Sequence, residues 1–398
     1  MKPLGFGIFD GDNHYYEPRD AFTRYIEPRF RDRAVRVVND AMGERILIGE
    51  KLFTFLSDTG LNFDKTQRPG SLREFLKSLG SDRLVEPDEV EIPMDPAFTS
   101  REARLARMDE QGVESILLFP TLGVCVEHFM KDDAALSYAN LRAFNRWLHE
   151  DWGFAHKGRI YASPVMSLLD VDEAVKDLEW ALARDARIIN LRVGPAHGHS
   201  PADPRFDRFW RIANEAAVTV AFHVGESGYN EMFSVQWGEQ PNPSSHHQSA
   251  FQWVCMYGDR PIMDTIVSLV MANFFGRFPN VKVLSVENGS LWVPYLLKVM
   301  DKMKGMGRNG PWLGGRVPGR ASEIFKQHVW VNPYHEEDHK ALAELIGVEH
   351  VVFGSDYPHP ESVPHPDEFT AHLESQFSPP DVRRIMRENG RALVGEKA

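Results

Sequence analysis

The feature that most constrains the fold of this chain is a series of short apolar segments separated by amphipathic helical patterns. Apolar runs of this length are typical of strands that are buried on both faces of a parallel sheet. The segments cover residues 6–9, 115–119, 160–162, 187–191, 218–222, 281–286, 329–331 and 350–354. They number eight, which is the strand count of a closed α/β barrel.

The stretches between the predicted strands carry apolar residues at helical spacing. Residues 101–110 and 172–182 each place their apolar side chains on one helical face. Asp170 or Asp172 can cap the second helix, and Gly112 stands where the first should end. The alternation predicts an α/β protein built as a (β/α)8 barrel. We expect one domain over residues 1–398, because such barrels often exceed about 250 residues.

Two stretches interrupt the alternation. Residues 25–97 mix short strand-like pieces with proline and glycine, which predicts an insertion or lid after the first strand. Residues 225–261 are rich in serine, asparagine, histidine and aromatic side chains, and they follow a predicted strand directly. Loops on that side of a barrel bind the substrate. Both stretches are therefore expected to cover a site.

The composition narrows the classes of partner. The formal net charge is −12, and lysine and arginine form only short runs, which argues against nucleic acid and anionic membrane surfaces. No window approaches the ~20 apolar residues that a membrane span needs. The two cysteines, Cys125 and Cys255, lie far apart and form neither a disulfide framework nor a thiolate metal motif. These features predict a cytoplasmic protein that binds a small-molecule substrate.

Titratable residues recur at the carboxyl ends of predicted strands, where a barrel opens into its active site. Asp12 and His14 follow the first strand two residues apart, so on an extended chain they point to the same side. His223, Glu287 and Asp356 follow three later strands. Such a set can hold one divalent cation, or two that share a carboxylate. Its oxygen ligands favour Mn²⁺ or Fe²⁺, although Zn²⁺ accepts mixed sets.

Each of these residues also has an ordinary structural interpretation. An aspartate at a strand end, such as Asp12 or Asp356 taken alone, more often forms a turn or a helix cap. His223 could be a hydrogen-bonded buried imidazole, and Glu287 could cap the segment that follows it. Independent structural roles do not explain why acids and imidazoles recur at four strand ends of one chain. A shared metal site explains the recurrence.

Three motifs make the chain resemble the amidohydrolase superfamily. They are Asp10-Gly11-Asp12-Asn13-His14, the single mid-chain His223, and Phe353-Gly354-Ser355-Asp356-Tyr357-Pro358-His359. Residues 276–283 further resemble the branch that includes aminocarboxymuconate semialdehyde decarboxylase and the resorcylate-type decarboxylases. The resemblance implies a (β/α)8 barrel, a divalent metal and, commonly in this family, a homodimer.

The same resemblance assigns roles to individual residues. Asp12 and His14 take the two positions of the first-strand metal motif, and His223 takes the mid-chain ligand position. Asp356 matches the aspartate that binds metal and activates water. Asp12 stands where the family often has a histidine, and Glu287 stands where the decarboxylases carry an acid–base histidine. Glu287 is therefore a candidate both for metal binding and for catalysis.

Other side chains are candidates for catalysis or substrate binding. His246 is a candidate catalytic residue and His247 a candidate substrate contact, although paired histidines on a loop are more often solvated. Arg192 could clamp a substrate carboxylate or phosphate, or form a structural salt bridge. His359 could contact the substrate, orient the preceding aspartate or close a turn. Trp237 could wall an apolar pocket or pack in the core.

The features together predict a metal-dependent hydrolase. Metal-activated water would attack an ester, thioester, amide or lactone, with Asp356 as the general base. The first alternative is non-oxidative decarboxylation of an aromatic or unsaturated carboxylic acid. The family resemblance favours it, whereas the presence of Glu287 in place of the acid–base histidine disfavours it. The second alternative is a binding protein that kept the barrel and lost turnover. No nucleophile elbow, phosphate loop or dinucleotide fingerprint is present.

Overall fold

The strands of the computed structural model match the predicted alternation closely. The structure describes residues 5–41, 43–56, 61–79, 83, 85–86, 89–256 and 259–396, without the side chains at 246 and 256. Among them, the strands are β1 (Ile8–Tyr15), β2 (Val35–Asp40), β3 (Gly43–Ile48), β4 (Lys51–Phe53), β5 (Lys65–Gln67), β6 (Glu91–Pro93), β7 (Val113–Pro120), β8 (Ile160–Ala162), β9 (Ile188–Arg192), β10 (Thr219–His223), β11 (Lys282–Val286) and β12 (Val329–Val331).

The helices alternate with the barrel strands. In the described ranges they are α1 (Ser71–Ser78), α2 (Pro96–Thr99), α3 (Arg101–Gln111), α4 (Ala134–Asp151), α5 (Val171–Leu182), α6 (Asp207–Ala216), α7 (Tyr229–Met232), α8 (Ala250–Met256), α9 (Asp259–Met271), α10 (Phe274–Arg277), α11 (Trp292–Met306), α12 (Ala321–His328), α13 (His339–Ile346), α14 (Pro366–Glu374), α15 (Pro379–Arg383) and α16 (Asn389–Leu393). Short 3-10 turns and one π turn over Arg384–Glu388 complete the connections. Among the described helices, none combines the length and the hydropathy that crossing a bilayer requires.

Parallel pairing closes these strands into a barrel. One sheet has the order β1-β7-β8 and a second has the order β9-β10-β11-β12. A bridge between Val165 and Asn190 joins the two sheets on one side. On the other side, bridges from Val331 to Val351 and from Asn13 to Tyr357 close the ring. The predicted (β/α)8 barrel is confirmed.

The eighth barrel position differs from its prediction. The sequence predicts a strand over residues 350–354, whereas the structure has an extended segment with single bridges at Val351 and Tyr357. Two backbone N–H groups of this segment donate to a helical turn and to a side chain, and not to a neighbouring strand. The Phe353 N–H donates to the carbonyl of Ile385 at 3.2 Å, and the Ser355 N–H donates to Asp10 Oδ1 at 2.8 Å.

The first strand is longer than predicted and begins later. The apolar run predicts residues 6–9, but β1 covers Ile8–Tyr15 and is buried along its whole length. Its polar side chains tolerate burial because they bond to one another and to the eighth segment. Asn13 Nδ2 donates to Asp10 Oδ2 at 2.8 Å, and Ser355 Oγ donates to the same oxygen. This network holds the C-terminal part of β1, which contains Asp12 and His14, at the mouth of the barrel.

Arg104 on α3 fixes the same strand from outside the barrel. The side chain is fully buried (0% exposed). Its Nε donates to the Ala97 carbonyl at 2.6 Å and its Nη2 to the His14 carbonyl at 2.7 Å, while Nη1 donates to Asn13 Oδ1. Each of the three guanidinium nitrogens therefore makes a hydrogen bond, and together they fix the position of His14 relative to α3.

The stretch at residues 25–97 contains small antiparallel sheets. Strands β2, β3 and β4 form one meander, in which Val35 pairs with Ile48 and Ile46 with Phe53. Strands β5 and β6 form a second pair, with Thr66 opposite Ile92. Helix α1 follows β5, and α2 leads into α3. The role of residues 25–97 as an insertion or lid stays a prediction.

Candidate metal centre

Five acidic and imidazole side chains meet at the carboxyl end of the barrel strands. Asp12 and His14 lie near the end of β1, and His223 is the last residue of β10. Glu287 directly follows β11, and Asp356 follows the eighth extended segment. All of them are predicted site residues. The structure brings the whole set together, although the chain separates its first and last members by most of its length.

The residues at the two late positions adopt left-handed backbone conformations. The φ angle is 53° at Glu287 and 59° at Asp356. Such φ values are uncommon for residues other than glycine and concentrate at functional sites. The Asp356 N–H donates to the Asp12 carbonyl at 2.9 Å, which holds one of these turns against β1. Gly354 permits this approach, since a Cβ there would lie 2.5 Å from the Asp12 Cβ.

The atoms that could ligate a metal converge around the two imidazoles. His14 Nε2 lies 3.0 Å from His223 Nε2, 3.3 Å from Asp12 Oδ1 and 3.4 Å from Asp356 Oδ1. His223 Nε2 lies 3.5 Å from Asp12 Oδ1 and 3.4 Å from Glu287 Oε2. Four donor atoms, from Asp12, His14, His223 and Glu287, all lie within 4.8 Å of one another. This spacing is close enough for a shared cation.

Unpartnered buried lone pairs show that the set fits a metal. Asp12 Oδ1 and Asp356 Oδ2 are buried and have no hydrogen-bond partner among the residues that the structure describes. His223 Nδ1 lies 2.8 Å from the Val224 carbonyl and can only donate to it, which leaves Nε2 as the ring nitrogen that faces the cluster. Buried acceptors without donors are costly, and a divalent cation would satisfy them.

Electrostatics lead to the same conclusion. Burial raises the pKa of Asp356 and of Glu287 well above their usual values, and neighbouring negative charges raise both further. Burial also lowers the pKa of His14 to about 3, with the nearby His359 adding to the effect. His14 is therefore neutral and ligand-competent at neutral pH. A bound cation would favour the charged form of both carboxylates.

Asp356 is held by a chain of hydrogen bonds behind it. His359 Nδ1 lies 2.7 Å from Asp356 Oδ1, and His359 Nε2 lies 3.0 Å from Thr121 Oγ1. Thr121 Oγ1 donates its own proton to the Tyr15 carbonyl at 2.9 Å, so it accepts from His359. The sequence prediction did not include Thr121. Its position one residue beyond the end of β7 was the available signal.

The cluster lies at the inner end of a cavity of about 1080 Å³. His14, His223, Glu287 and His359 line the inner end. The outer wall includes apolar side chains, which are Phe55, Leu56, Leu61, Phe63, Met94, Leu122, Val124 and Trp253. Residues from the predicted insertion therefore form part of the wall. The volume is sufficient for a substrate larger than a simple amino acid or sugar.

A family model for amidohydrolases matches residues 58–395. The chain belongs to the amidohydrolase family. The predicted family is thus confirmed, and with it the expectation of an enzyme. The metal dependence typical of the family agrees with the geometry of the cluster. A comparison with curated proteins returned no match.

Solved structures share the fold of this amidohydrolase. An amidohydrolase from Mycobacterium avium subsp. paratuberculosis K-10 is 35% identical, with a TM-score of 0.88 over 99% of this chain and 100% of that one. The 5-carboxyvanillate decarboxylase from Sphingomonas paucimobilis is 14% identical, with a TM-score of 0.62 over 98% and 100%. A dihydroxybenzoic acid decarboxylase from Polaromonas sp. JS666, with bound manganese and 2-nitroresorcinol, is 14% identical, with a TM-score of 0.59 over 98% and 97%.

Some of the other predicted residues lie away from this cavity. Arg192 Nη1 donates to the Ser227 carbonyl at 2.7 Å and Nη2 to the Pro195 carbonyl at 3.1 Å, and Nε lies 3.8 Å from Glu127 Oε2. The guanidinium thus stabilises a loop and a buried acid, as in the structural alternative considered for it, and its role as a substrate clamp stays a prediction. Trp237 is 73% exposed and packs on Phe251 rather than in the cavity wall.

The loop histidines have different outcomes. His247 is exposed, in the short turn Ser245–His247, and does not belong to the cavity lining among the described residues. The side chain of His246 lies outside the described part of the structure, so its catalytic role stays a prediction. His359 does line the cavity, and its contact with Asp356 is the orienting role that the sequence suggested.

Proposed function

We propose that this amidohydrolase is a metal-dependent hydrolase that adds water to an acyl bond at the inner end of its cavity. The bond would be an ester, thioester, amide or lactone. The proposal is carried by the convergence of five side chains, two of whose buried carboxylate oxygens have no partner in the described ranges. The five are Asp12, His14, His223, Glu287 and Asp356. One or two ions of zinc, manganese or iron are the cofactors we propose.

The proposed ligands are Asp12, His14 and His223, completed by Glu287 and Asp356. Glu287 belongs to both overlapping groups of possible ligands, which supports a bridging role if two ions bind. The bound cation would polarise the acyl carbonyl and lower the pKa of a water molecule toward neutrality. Proton transfer, positioning and substrate binding would be carried out by the protein's own side chains.

Asp356 is suited to accept the proton of the attacking water. Its Oδ1 is engaged by His359, while its Oδ2 has no partner in the described part of the chain and is available. His359 holds the carboxylate in place and, when protonated, would stabilise its negative charge. The apolar wall around Phe55 and Phe63 would bind the organic part of the substrate and keep bulk water out.

The hydrolase proposal is tested by comparing two aspartate variants in the metal-loaded enzyme. A panel of aryl esters, thioesters, amides and lactones is screened for hydrolysis, with incorporation of ¹⁸O from labelled water as proof of the reaction. Asp356→Asn should lower kcat on any accepted substrate by about 100-fold or more. Asp20→Asn, at a carboxylate that lines the cavity outside the cluster, should leave kcat within about twofold. Equal losses in both variants would contradict the role of Asp356.

Decarboxylation of an aromatic or unsaturated acid is the second candidate. The burial that raises the pKa of Glu287 favours its neutral form, which could deliver a proton to the carbon that loses carbon dioxide. Several of the solved structures of this fold are of decarboxylases. Release of carbon dioxide from carboxylated aromatics, without ¹⁸O incorporation and dependent on Glu287, would reverse the order of the two candidates.

A further inference from the structure

Glu17 is a buried carboxylate that the proposed reaction does not use. It stands two residues beyond β1, lines the cavity and is only 5% exposed. Among the described residues, backbone N–H groups are its hydrogen-bond partners, and it forms no ion pair. Burial raises the pKa of Glu17 to about 7, although these N–H groups oppose the shift. A carboxylate in such a place costs free energy of folding, so the groups that it binds indicate what the placement provides.

Both carboxylate oxygens of Glu17 face the loop that follows β7. Oε1 accepts from the N–H groups of Leu122 and Gly123, each at 2.9 Å, and Oε2 lies 3.0 Å from the Leu122 nitrogen. The Leu122 N–H belongs to the planar peptide group that joins this residue to Thr121. The bonds to Glu17 therefore orient the backbone at Thr121 as well as the two residues after it.

Thr121 is held twice by the end of β1. Its hydroxyl donates to the Tyr15 carbonyl at 2.9 Å, and the peptide group that follows it is bound by Glu17. The same hydroxyl accepts from His359 Nε2 at 3.0 Å. His359 Nδ1 in turn lies 2.7 Å from Asp356 Oδ1. A continuous series of hydrogen bonds therefore connects Glu17 with the carboxylate of Asp356.

The loop after β7 has little freedom on its other side. A Cβ at Gly123 would lie 2.7 Å from the ring of Phe144, so the loop packs closely on α4. The Cys125 N–H donates to the Leu122 carbonyl at 3.0 Å and closes a turn. Packing and the turn fix the shape of the loop, while Glu17 provides the acceptors that join it to β1.

We propose that Glu17 is a positioning residue for Asp356, because it fixes Thr121, which holds His359 and through it the aspartate. The inference rests on the proposed function only in taking Asp356 as the base. It holds equally if Asp356 serves the cluster in another reaction. Glu17 itself transfers no proton in this arrangement.

Two substitutions separate the hydrogen-bond acceptor from the acid. Glutamine keeps an oxygen that can replace Oε1, whereas methionine keeps the length of the side chain and removes the acceptors. On a substrate that the metal-loaded enzyme accepts, Glu17→Met should lower kcat by about 10-fold with little change in KM. Glu17→Gln should retain about a third of kcat or more. Equal losses in both variants would mean that Glu17 acts as an acid, which would overturn the inference.

A double variant shows whether Glu17 and Thr121 act through the same link. Residues that act as a unit have effects that do not add. Glu17→Met combined with Thr121→Val should therefore lower kcat by no more than about threefold beyond the more damaged single variant. Losses that multiply, to about 100-fold, would show that the two residues act independently and would contradict the proposal.

A second measurement needs no substrate. Histidine-selective ¹⁵N NMR of the zinc-loaded enzyme detects the His359 Nε2–H proton while its hydrogen bond slows exchange, and His359→Gln assigns the signal. The signal should be present in the wild type and in Glu17→Gln, and broadened or lost in Glu17→Met and Thr121→Val. A signal missing from the wild type, or unchanged in Glu17→Met, would overturn the inference. Because turnover is not measured, failure of the proposed reaction would be distinguished from failure of the positioning role.

Glu226→Met is the matched control. Glu226 is equally buried, its Oε1 accepts from the Gly228 N–H at 2.6 Å, and it lies outside the cavity lining among the described residues. The control should leave the His359 signal in place and kcat within about threefold of the wild type, whatever it does to the melting temperature. Equal changes of kcat and of the signal in Glu17→Met and Glu226→Met would reduce Glu17 to a general contributor to stability and contradict the proposal.

Discussion

At the scale of single residues, substitutions of Thr121 test whether catalysis depends on the position of Asp356. Thr121→Val removes the oxygen that accepts from His359 Nε2 and nearly preserves side-chain volume. We expect kcat to fall by about 10-fold with little change in KM, because the ring that holds Asp356 loses its anchor. Thr121→Ser keeps the oxygen and should retain most of the activity. Equal losses in both variants would show that packing, and not the hydrogen bond, is responsible.

Glu226 gives a prediction about pH and stability. The side chain is buried, which raises its pKa to about 7, while a hydrogen bond from the Gly228 N–H opposes the shift. The folded state then keeps a proton that the unfolded state loses above its ordinary pKa of 4.5. This residue's contribution to stability therefore falls as the pH rises from about 4.5 to about 7, and stays constant above that range.

The measurement is the melting temperature of Glu226→Gln and of the wild type at about pH 5 and about pH 8. Glutamine cannot ionise, so the variant should gain about 2 °C or more relative to the wild type on going from the lower to the higher pH. The difference between the two proteins removes the contributions of other titrating groups. A constant offset at both pH values would mean that Glu226 ionises normally in the folded protein.

The sequence indicated the ligand candidates but not their supports. Asp12, His14, His223, Glu287 and Asp356 could be found because the carboxyl ends of barrel strands share one mouth. Thr121 escaped detection, because its role depends on which atoms lie opposite it in space. The two loop carbonyls that accept hydrogen bonds from the Arg192 guanidinium could not be identified from the sequence either.

At the scale of elements, the fit of α3 against β1 depends on Arg104. Replacing it with lysine leaves one donor group where three hydrogen bonds now form, inside a fully buried site. We expect the free energy of unfolding in urea to fall by about 2–4 kcal/mol. Arg107→Lys, on the same helix but partly exposed, should change it by less than about 0.5 kcal/mol. Equal small effects would mean that the two elements pack without the guanidinium.

Strand prediction succeeded where pairing alone determines the strand. The predicted bounds of β8 and β12 agree with the structure, because backbone partners lie on neighbouring strands. The eighth segment and the bounds of β1 were misjudged. In the eighth segment, the Ser355 N–H donates to the Asp10 side chain instead of to a neighbouring strand. Strand β1 continues beyond its apolar run, where its polar side chains bond to one another. An apolar run reports neither effect. The hydrophobic periodicity of a sequence indicates which side chains are buried, but not which atoms form the hydrogen bonds of the backbone.

At the scale of the whole molecule, the alternation of apolar runs and helices predicted the architecture. Eight such runs favoured a barrel, which the structure confirms. The small-molecule partner expected from the net charge of −12 stays a prediction. The distribution of that charge within the cavity needed coordinates, since Arg19 and Lys65 are neutralised by acids distant in sequence. The homodimer and the lid role of residues 25–97 stay predictions.

The central claim is that distant side chains share a cation, and metal content at equilibrium tests it most directly. The wild type, Asp12→Asn, His223→Asn and the control Asp20→Asn are dialysed against limiting manganese and zinc, and bound metal is measured by elemental analysis. We expect one or two ions per chain in the wild type and the control, with affinity about 10-fold or more lower in the two ligand variants. Metal-free wild type, or four proteins with the same affinity, would contradict the account.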